Sequence, residues 1–278
     1  MVTAWSSHKG VTVTHCDRGH RGTGHIRRGR VPGGRGGRWR TPSGERLVGY
    51  DERSGCEASP VTDTDTRRGG VRVLASAWVL LTLGVLAVGW LLTGPLESVV
   101  DPWDDRVAVG IEERRTAALD VAAAAGSHVA DTVVGIALAV VIALVAWRWQ
   151  GSRRPLVYYG VLVVGALALY LVATWFITRD RPPVEILDPG LVPDHSFPSG
   201  HVVTSVVVYV ALAVHLTRTV AGASRWVWPL YAVPLVVAAS RLYQGAHHPT
   251  DVLTSLVVAP LWVAVVAHVV LPRRVSAQ

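Results

Sequence analysis

Six largely apolar runs, most of them about as long as a bilayer is thick, constrain this chain more than any other feature. A hydrocarbon core of about 30 Å takes about 20 apolar residues as a helix. The runs extend from about Val73 to Thr93, His128 to Trp147, Leu156 to Ile177, Val202 to Val220, Trp226 to Ser240 and Val252 to Leu271. Val, Ala and Leu follow one another without period-two alternation, which predicts helices rather than barrel strands. The fifth run is short and contains Pro229 and Pro234, so it is expected to kink. Arg67, Arg68 and Arg72 precede the first run as they would a signal peptide. Leu91-Leu92-Thr93-Gly94-Pro95 is a poor cleavage site, however, so the run is read as a span. The expected fold class is therefore all-α: a polytopic membrane protein of six transmembrane helices with a disordered N-terminal tail.

Composition agrees. The chain is 50% apolar and 17% charged, which argues against a typical soluble enzyme and against disorder overall. The excess charge sits at one end: residues 1–72 hold 14 basic and 7 acidic residues and 14 of the 27 glycines, so the whole formal charge of +7 belongs to that segment. Runs such as Arg27-Arg28-Gly29-Arg30 carry too little apolar surface to offset the entropy of ordering. The expected domains are a disordered Arg/Gly-rich cytoplasmic tail (1–72), a six-helix transmembrane domain (73–271) and a short cytoplasmic C-terminus (272–278). Arg-Gly runs can bind RNA and basic tails anionic lipid. A solvated tail is the simpler reading, and a nucleic-acid partner is not expected. Cys16 and Cys56 both lie in this tail, so neither a disulfide framework nor a structural zinc site is expected. Met1 is the chain's only methionine, and Val71 and Val73 stand just before the first run, which is compatible with a translation start there.

Charge also orients the spans. The second loop holds Arg148, Arg153 and Arg154, the fourth holds Arg218 and Arg225, and the C-terminus holds Arg273 and Arg274, all without an acid. Basic loops remain in the cytoplasm, so these loops and both termini are expected there, in a multi-pass protein of the cell membrane. The first loop carries seven acids against Arg106, Arg114 and Arg115, and belongs outside with the third and fifth loops. Val107, Ile111, Ala118, Leu119 and Ala122 recur near helical spacing, which predicts an amphipathic helix from about Asp104 to Ala125.

Ionisable residues at membrane edges are functional candidates, and here three groups fall on the outer side. They are Arg179-Asp180-Arg181-Pro182, Pro198-Ser199-Gly200-His201, and Ser240-Arg241 with His247 and Asp251 following. Pro198-Ser199-Gly200 leads into the fourth span, where free N–H groups and the helix dipole can face an anion. Gly200 permits close approach, Ser199 adds a hydroxyl, and Arg181 and Arg241 offer guanidinium forks suited to phosphoryl oxygens. Asp251 follows His247 by four residues. A carboxylate on one ring nitrogen would fix the tautomer and leave the other as a nucleophile. His195 and His248 adjoin these groups without sharing their spacing, and stay unassigned. No metal-ligand cluster is visible, and neither a metal nor another cofactor is expected.

The constellation resembles the type 2 phosphatidic acid phosphatase superfamily, on the membrane lipid phosphatase branch. Its motifs are Lys-x6-Arg-Pro, Pro-Ser-Gly-His and Ser-Arg-x5-His-x3-Asp. The second is matched by Pro198-Ser199-Gly200-His201 and the third by Ser240, Arg241, His247 and Asp251 at the family spacing. The first is matched only in part: Arg181-Pro182 is present, but Thr174 stands where the family has lysine, and Arg179 is expected to lean in as the substitute cation. The resemblance covers about residues 73–271. It implies metal-independent hydrolysis of a lipid phosphate monoester or diphosphate through a phosphohistidine. In it His247 attacks, Asp251 orients the ring, His201 protonates the leaving oxygen, and Arg181, Arg241, Ser199 and Gly200 hold the phosphoryl oxygens. The partners implied are the membrane and a lipid phosphate substrate, with the oligomeric state left open. A lipid phosphotransferase and a non-catalytic phospholipid-binding or transport protein are the alternative readings. The same superfamily includes vanadate-dependent peroxidases, which the spans disfavour.

Overall fold

A computed structural model describes residues 3–4, 13–14 and 63–272. The chain divides into two units, residues 1–62 and 63–278. In the first, β1 (Thr3–Ala4) pairs antiparallel with β2 (Val13–Thr14). The expectation of a disordered tail falls mostly outside the described residues.

The second unit is a helical bundle. Its elements are α1 (Asp63–Leu92), α2 (Glu97–Glu112), α3 (Ala117–His128), α4 (Thr132–Gln150) and α5 (Arg154–Phe176). There follow α6 (Gly200–Ser205), α7 (Ala211–Thr219), α8 (Trp228–Tyr243) and α9 (Pro249–Val270). A π-helical turn, Val206–Val210, joins α6 to α7, so Gly200–Thr219 runs as one helix. Local chemistry sets several boundaries. Asp131 caps α4, its carboxylate accepting from the Val133 amide at 2.9 Å, and Gly151 ends that helix at φ +61°, where a side chain would be strained. Proline opens α5, α8 and α9, where its missing N–H costs no helical bond.

Five of these helices are long and apolar enough to cross a membrane: Arg68–Leu92, Thr132–Gln150, Arg154–Phe176, Gly200–Thr219 and Pro249–Val270. The fifth expected span corresponds to α8, whose 16 residues fall short of that length. The first helix begins at Asp63, ten positions before the expected span, because a helical backbone continues past its apolar stretch without needing bilayer around it. The single amphipathic helix expected over 104–125 is two helices. Thr116 ends the turn between them, its hydroxyl accepting from the Leu119 amide at 3.3 Å. Nearby, the Tyr243 hydroxyl accepts from the Thr116 amide at 3.0 Å and Arg115 Nε donates to the Tyr243 carbonyl at 3.1 Å, drawing the turn against α8.

The interior is small and tightly fitted. Tyr158, Tyr159, Leu162, Val206, Val263 and Val266 pack with Ala139, Ala211 and Ala267 between α4, α5, the π turn and α9. Small residues let helix backbones approach, which compensates for the weak hydrophobic drive between helices in lipid. Gly165 illustrates this: a Cβ there would run into the Trp262 ring of α9, while its carbonyl accepts from Trp78 Nε1 of α1 at 2.8 Å. The outward faces are apolar, with Leu80, Val133, Val164, Leu171, Leu235 and Val257 all more than half exposed. Exposed tryptophans mark two levels of the bundle. Trp90, Trp103 and Trp175 lie at one end, and Trp147, Trp149, Trp226 and Trp228 at the other, as in the aromatic belts of membrane interfaces.

Candidate active site

The three motif groups meet at one end of the bundle. Arg181, Gly200, His201, Arg241 and His247 all line a single cavity of about 170 Å³. Helix ends bring them there: α6 starts at the cavity with Gly200 and His201, α8 arrives with Arg241 in its last turn, and the connection into α9 carries His247. Away from these residues the cavity becomes apolar. Gly135 and Ile136 of α4, Val163 and Leu167 of α5, and Val207 and Val208 of the π turn form its walls.

Arg241 is completely buried. Its Nη1 donates to Asp188 at 2.6 Å, to Ser127 at 2.7 Å and to Gln244 at 3.0 Å. Its Nε and Nη2 are buried without a hydrogen-bond partner, and so is the hydroxyl of Ser199. Orphaned donors of this kind are rare in folded proteins, because each costs roughly 1–3 kcal/mol, more when charged. The Ser199 amide is engaged, donating to Ser255 Oγ at 3.0 Å. Gly200 lies against Tyr170, whose ring a Cβ would approach to 3.2 Å.

Arg181 is braced by backbone. Nε donates to the Val192 carbonyl at 2.9 Å, Nη2 to that of His195 at 3.1 Å, and Nη1 to that of Ala246. Burial, and after it the neighbouring Arg241, lowers its pKa below the usual guanidinium value.

His247 is buried, and its Nδ1 stands 2.6 Å from the Ser196 carbonyl. A carbonyl accepts only, so Nδ1 carries the proton and Nε2 keeps its lone pair. Burial, with Arg241 adding to it, pushes this imidazole down to about 3. The ring is therefore neutral over the physiological range.

Two expectations are corrected. Asp251 does not hold the His247 ring. Its Oδ1 accepts from Arg179 at 2.6 Å, and its Oδ2 accepts from the Ser196 hydroxyl at 2.5 Å and the His248 amide at 2.9 Å. The last bond makes Asp251 the third-position partner in the capping box of α9, whose N-cap is His248, and this turns its carboxylate back along the chain rather than onto the ring four residues earlier. Ser196 bridges the two, its hydroxyl on Asp251 and its carbonyl on His247. Arg179, the expected substitute for the missing lysine, does not line the cavity. Besides Asp251, its guanidinium meets Asp101 at 2.6 Å, Asp104 at 2.9 Å and Thr250 at 2.8 Å. Burial disfavours that charge, but the carboxylates outweigh it and hold Arg179 above its ordinary pKa. Thr174 is also turned away: its hydroxyl donates to the carbonyls of Tyr170 and Leu171 in its own helix, at 3.1 and 3.2 Å.

Sequence reasoning missed Tyr170 and left His195 unassigned, yet both line the cavity. It also gave no role to Ser127, Asp188 or Ser196. The signal for Ser196 was its place beside Pro-Ser-Gly-His; Asp188 and Ser127 follow from no motif.

Comparison with known proteins points to one family. Residues 155–274 match the family model of the PAP2 superfamily, and that stretch holds Arg181, Ser199 to His201, Arg241, His247 and Asp251. This part of the chain is similar to the PAP2 superfamily. Over 123 residues the chain is 32% identical to undecaprenyl-diphosphatase BcrC of Bacillus subtilis (strain 168), an alignment spanning 42% of this chain and 60% of that relative. The bundle resembles the crystal structure of a transmembrane PAP2-type phosphatidylglycerolphosphate phosphatase from Bacillus subtilis. The TM-score is 0.58 at 23% identity, covering 69% of this chain and 94% of the other, so the likeness is one of PAP2 fold.

Proposed function

We propose that the chain is an integral membrane phosphatase that hydrolyses a lipid phosphate monoester or diphosphate through a phosphohistidine on His247. The observation that carries this reading is the pair of buried, partnerless nitrogens of Arg241, Nε and Nη2, in a cavity that also holds a neutral, carbonyl-oriented histidine. A tetrahedral dianion offers the acceptors those donors lack. In the proposed sequence, Nε2 of His247 attacks phosphorus and the bond to the leaving oxygen breaks as His201 supplies its proton. Water then cleaves the phosphorus–nitrogen bond, releasing phosphate and restoring the imidazole. Arg241, Ser199 and the start of α6 neutralise the equatorial oxygens, with Arg181 at their flank. Asp251 acts at one remove, holding Ser196 so that its carbonyl fixes the His247 tautomer. The apolar walls below the cradle suit a hydrocarbon chain. The arginines supply the neutralising charge, so the reaction is proposed to need no metal.

In this reading α8 is a sixth crossing. Gly200–Thr219 leads away from the cavity and Arg241 lines it again, so the intervening helix must return across the bundle. Six crossings with arginine-rich second and fourth loops put both termini in the cytoplasm and the cavity at the outer face. Cysteines introduced at Asp188 and Gln244 should then react with an impermeant thiol reagent on intact cells, and one at Arg153 should not. The activity is tested by phosphate release from purified protein in detergent, over phosphatidic acid, phosphatidylglycerolphosphate and polyprenyl diphosphates, with and without chelator. No release from any of them would refute the proposal.

A further inference from the structure

Beyond the motif residues, one titratable side chain of the connection before α6 lines the cavity: His195. Its Nδ1 is 2.7 Å from Asp194 Oδ1, so Nε2 is the ring nitrogen left for another partner. The backbone here is fixed. Arg179 N donates to the Asp194 carbonyl at 3.0 Å, Ser196 N to the Arg179 carbonyl at 3.0 Å, and the His195 carbonyl accepts from Arg181. The ring is thus carried on a braced segment, with its side chain 35% exposed.

A gradient of burial gives the cavity a direction. Of the lining residues, Arg241 is fully buried and His247 is 5% exposed, and they form the closed side of the cavity. Arg181 and His195 are half-buried and stand on the open side. Thr132 and Leu167 of the cavity wall are exposed as well, so a phosphoryl group seated against Arg241 has open space on its far side, toward His195 and toward the apolar wall. In a monoester the group that follows is an oxygen and a carbon chain. In a diphosphate it is a second phosphoryl group bearing its own charge.

Cations free to meet that second charge are few. Arg179 is neutralised by three carboxylates, Arg241 shares its charge with Asp188, and position 174 is threonine. Arg181 is braced by a backbone carbonyl on each nitrogen, which leaves one N–H on Nη1 and one on Nη2 and assigns it to the flank of the attacked group. We infer that His195, held by Asp194, binds the phosphoryl group that is not attacked, and so sets a preference for lipid diphosphates over lipid monophosphates. Asp194 supports the ring from behind, and the hydrogen bond with His195 holds its own carboxyl below the ordinary range.

This assignment rests on the phosphatase reading, and the test separates the two. Phosphate release from farnesyl diphosphate and from farnesyl phosphate is measured for full-length wild type, His195→Gln, Asp194→Asn and, as the inactive reference, His247→Ala. His195→Gln should lower kcat/KM for the diphosphate about tenfold, chiefly through KM, the worth of one charge-assisted contact. The monophosphate should change less than about threefold, and Asp194→Asn should act in the same direction more weakly. Equal loss on both substrates, or no loss on the diphosphate, would overturn the inference. Calorimetric titration of wild type and His195→Gln with inorganic pyrophosphate and phosphate gives a second readout independent of turnover. A selective loss of pyrophosphate affinity is expected, and an unchanged pyrophosphate affinity would overturn the inference. Wild type that releases phosphate from neither lipid would refute the phosphatase reading while leaving this binding result to judge His195.

Discussion

Arg179 lies 2.6 Å from Asp251, and the same guanidinium reaches Asp101 and Asp104 on α2. The carboxylate that caps the motif-bearing helix α9 is thus tied by one buried arginine to a helix more than a hundred residues earlier. Removing one partner of a buried pair costs about 3–5 kcal/mol, because the remaining charge keeps its desolvation penalty. Arg179→Ala should therefore lower the unfolding midpoint in detergent and reduce activity, while retaining the cavity's own arginines. Asp104→Asn should do less, since Asp101 and Asp251 remain on the guanidinium. Wild-type stability in Arg179→Ala would show that the cluster contributes nothing.

His247→Ala and His201→Ala should each abolish phosphate release, by roughly three orders of magnitude or more, with membrane insertion unchanged. Single-turnover assays should show no labelled phosphoenzyme in His247→Ala. Near-normal turnover by either variant would sink the assignment of nucleophile and acid.

Burial and Arg241 hold His247 at about 3 rather than the ordinary 6.5, and the sign of the consequence follows. The unfolded chain takes up this proton more readily than the folded one. The stability contributed by the neutral ring is therefore complete above about pH 6.5 and is lost as the pH falls from there toward 3. Thermal unfolding followed from neutral pH downward should show this decline, reduced in His247→Asn. For catalysis, the nucleophile stays unprotonated well into acid, so the acid limb of kcat/KM should fall below about pH 5. An acid limb near 6.5 that disappears with His247 would contradict the burial argument.

Thr174→Lys should not recreate the family's lysine contact. The threonine hydroxyl points into its own helix backbone and the residue does not line the cavity. Vanadate inhibition should change by less than about threefold; a productive charge-assisted contact would give tenfold or more.

Much of the fold was legible because membrane spans are written locally, in runs of apolar residues whose ends moved by only a few positions, except at Asp63. The site was legible for the same reason: Ser199 to His201 and Arg241 to Asp251 are short patterns at helix ends, and a helix end has a calculable direction. What escaped were choices among distant partners. Arg179 looked free to approach a phosphate because nothing in its own neighbourhood shows Asp101 or Asp104, which α2 brings across the bundle. Asp251 looked poised over His247 by spacing alone, but capping α9 turned it away. The division of the loop helix at Thr116 depends on Tyr243, 127 residues further on.

The matched family segment begins at residue 155, but the ion pairs and hydrogen bonds of its arginines do not respect that border. Asp101 and Asp104 serve Arg179, and Ser127 serves Arg241, from helices ahead of it. A fragment starting at residue 155 would keep every motif residue, yet Arg179 would retain only Asp251 among its three carboxylates. Recombination between relatives at this border would take the motif residues from one parent, and two carboxylates of Arg179 and the serine on Arg241 from another. The two halves are therefore expected to be exchangeable only together with α2 and α3.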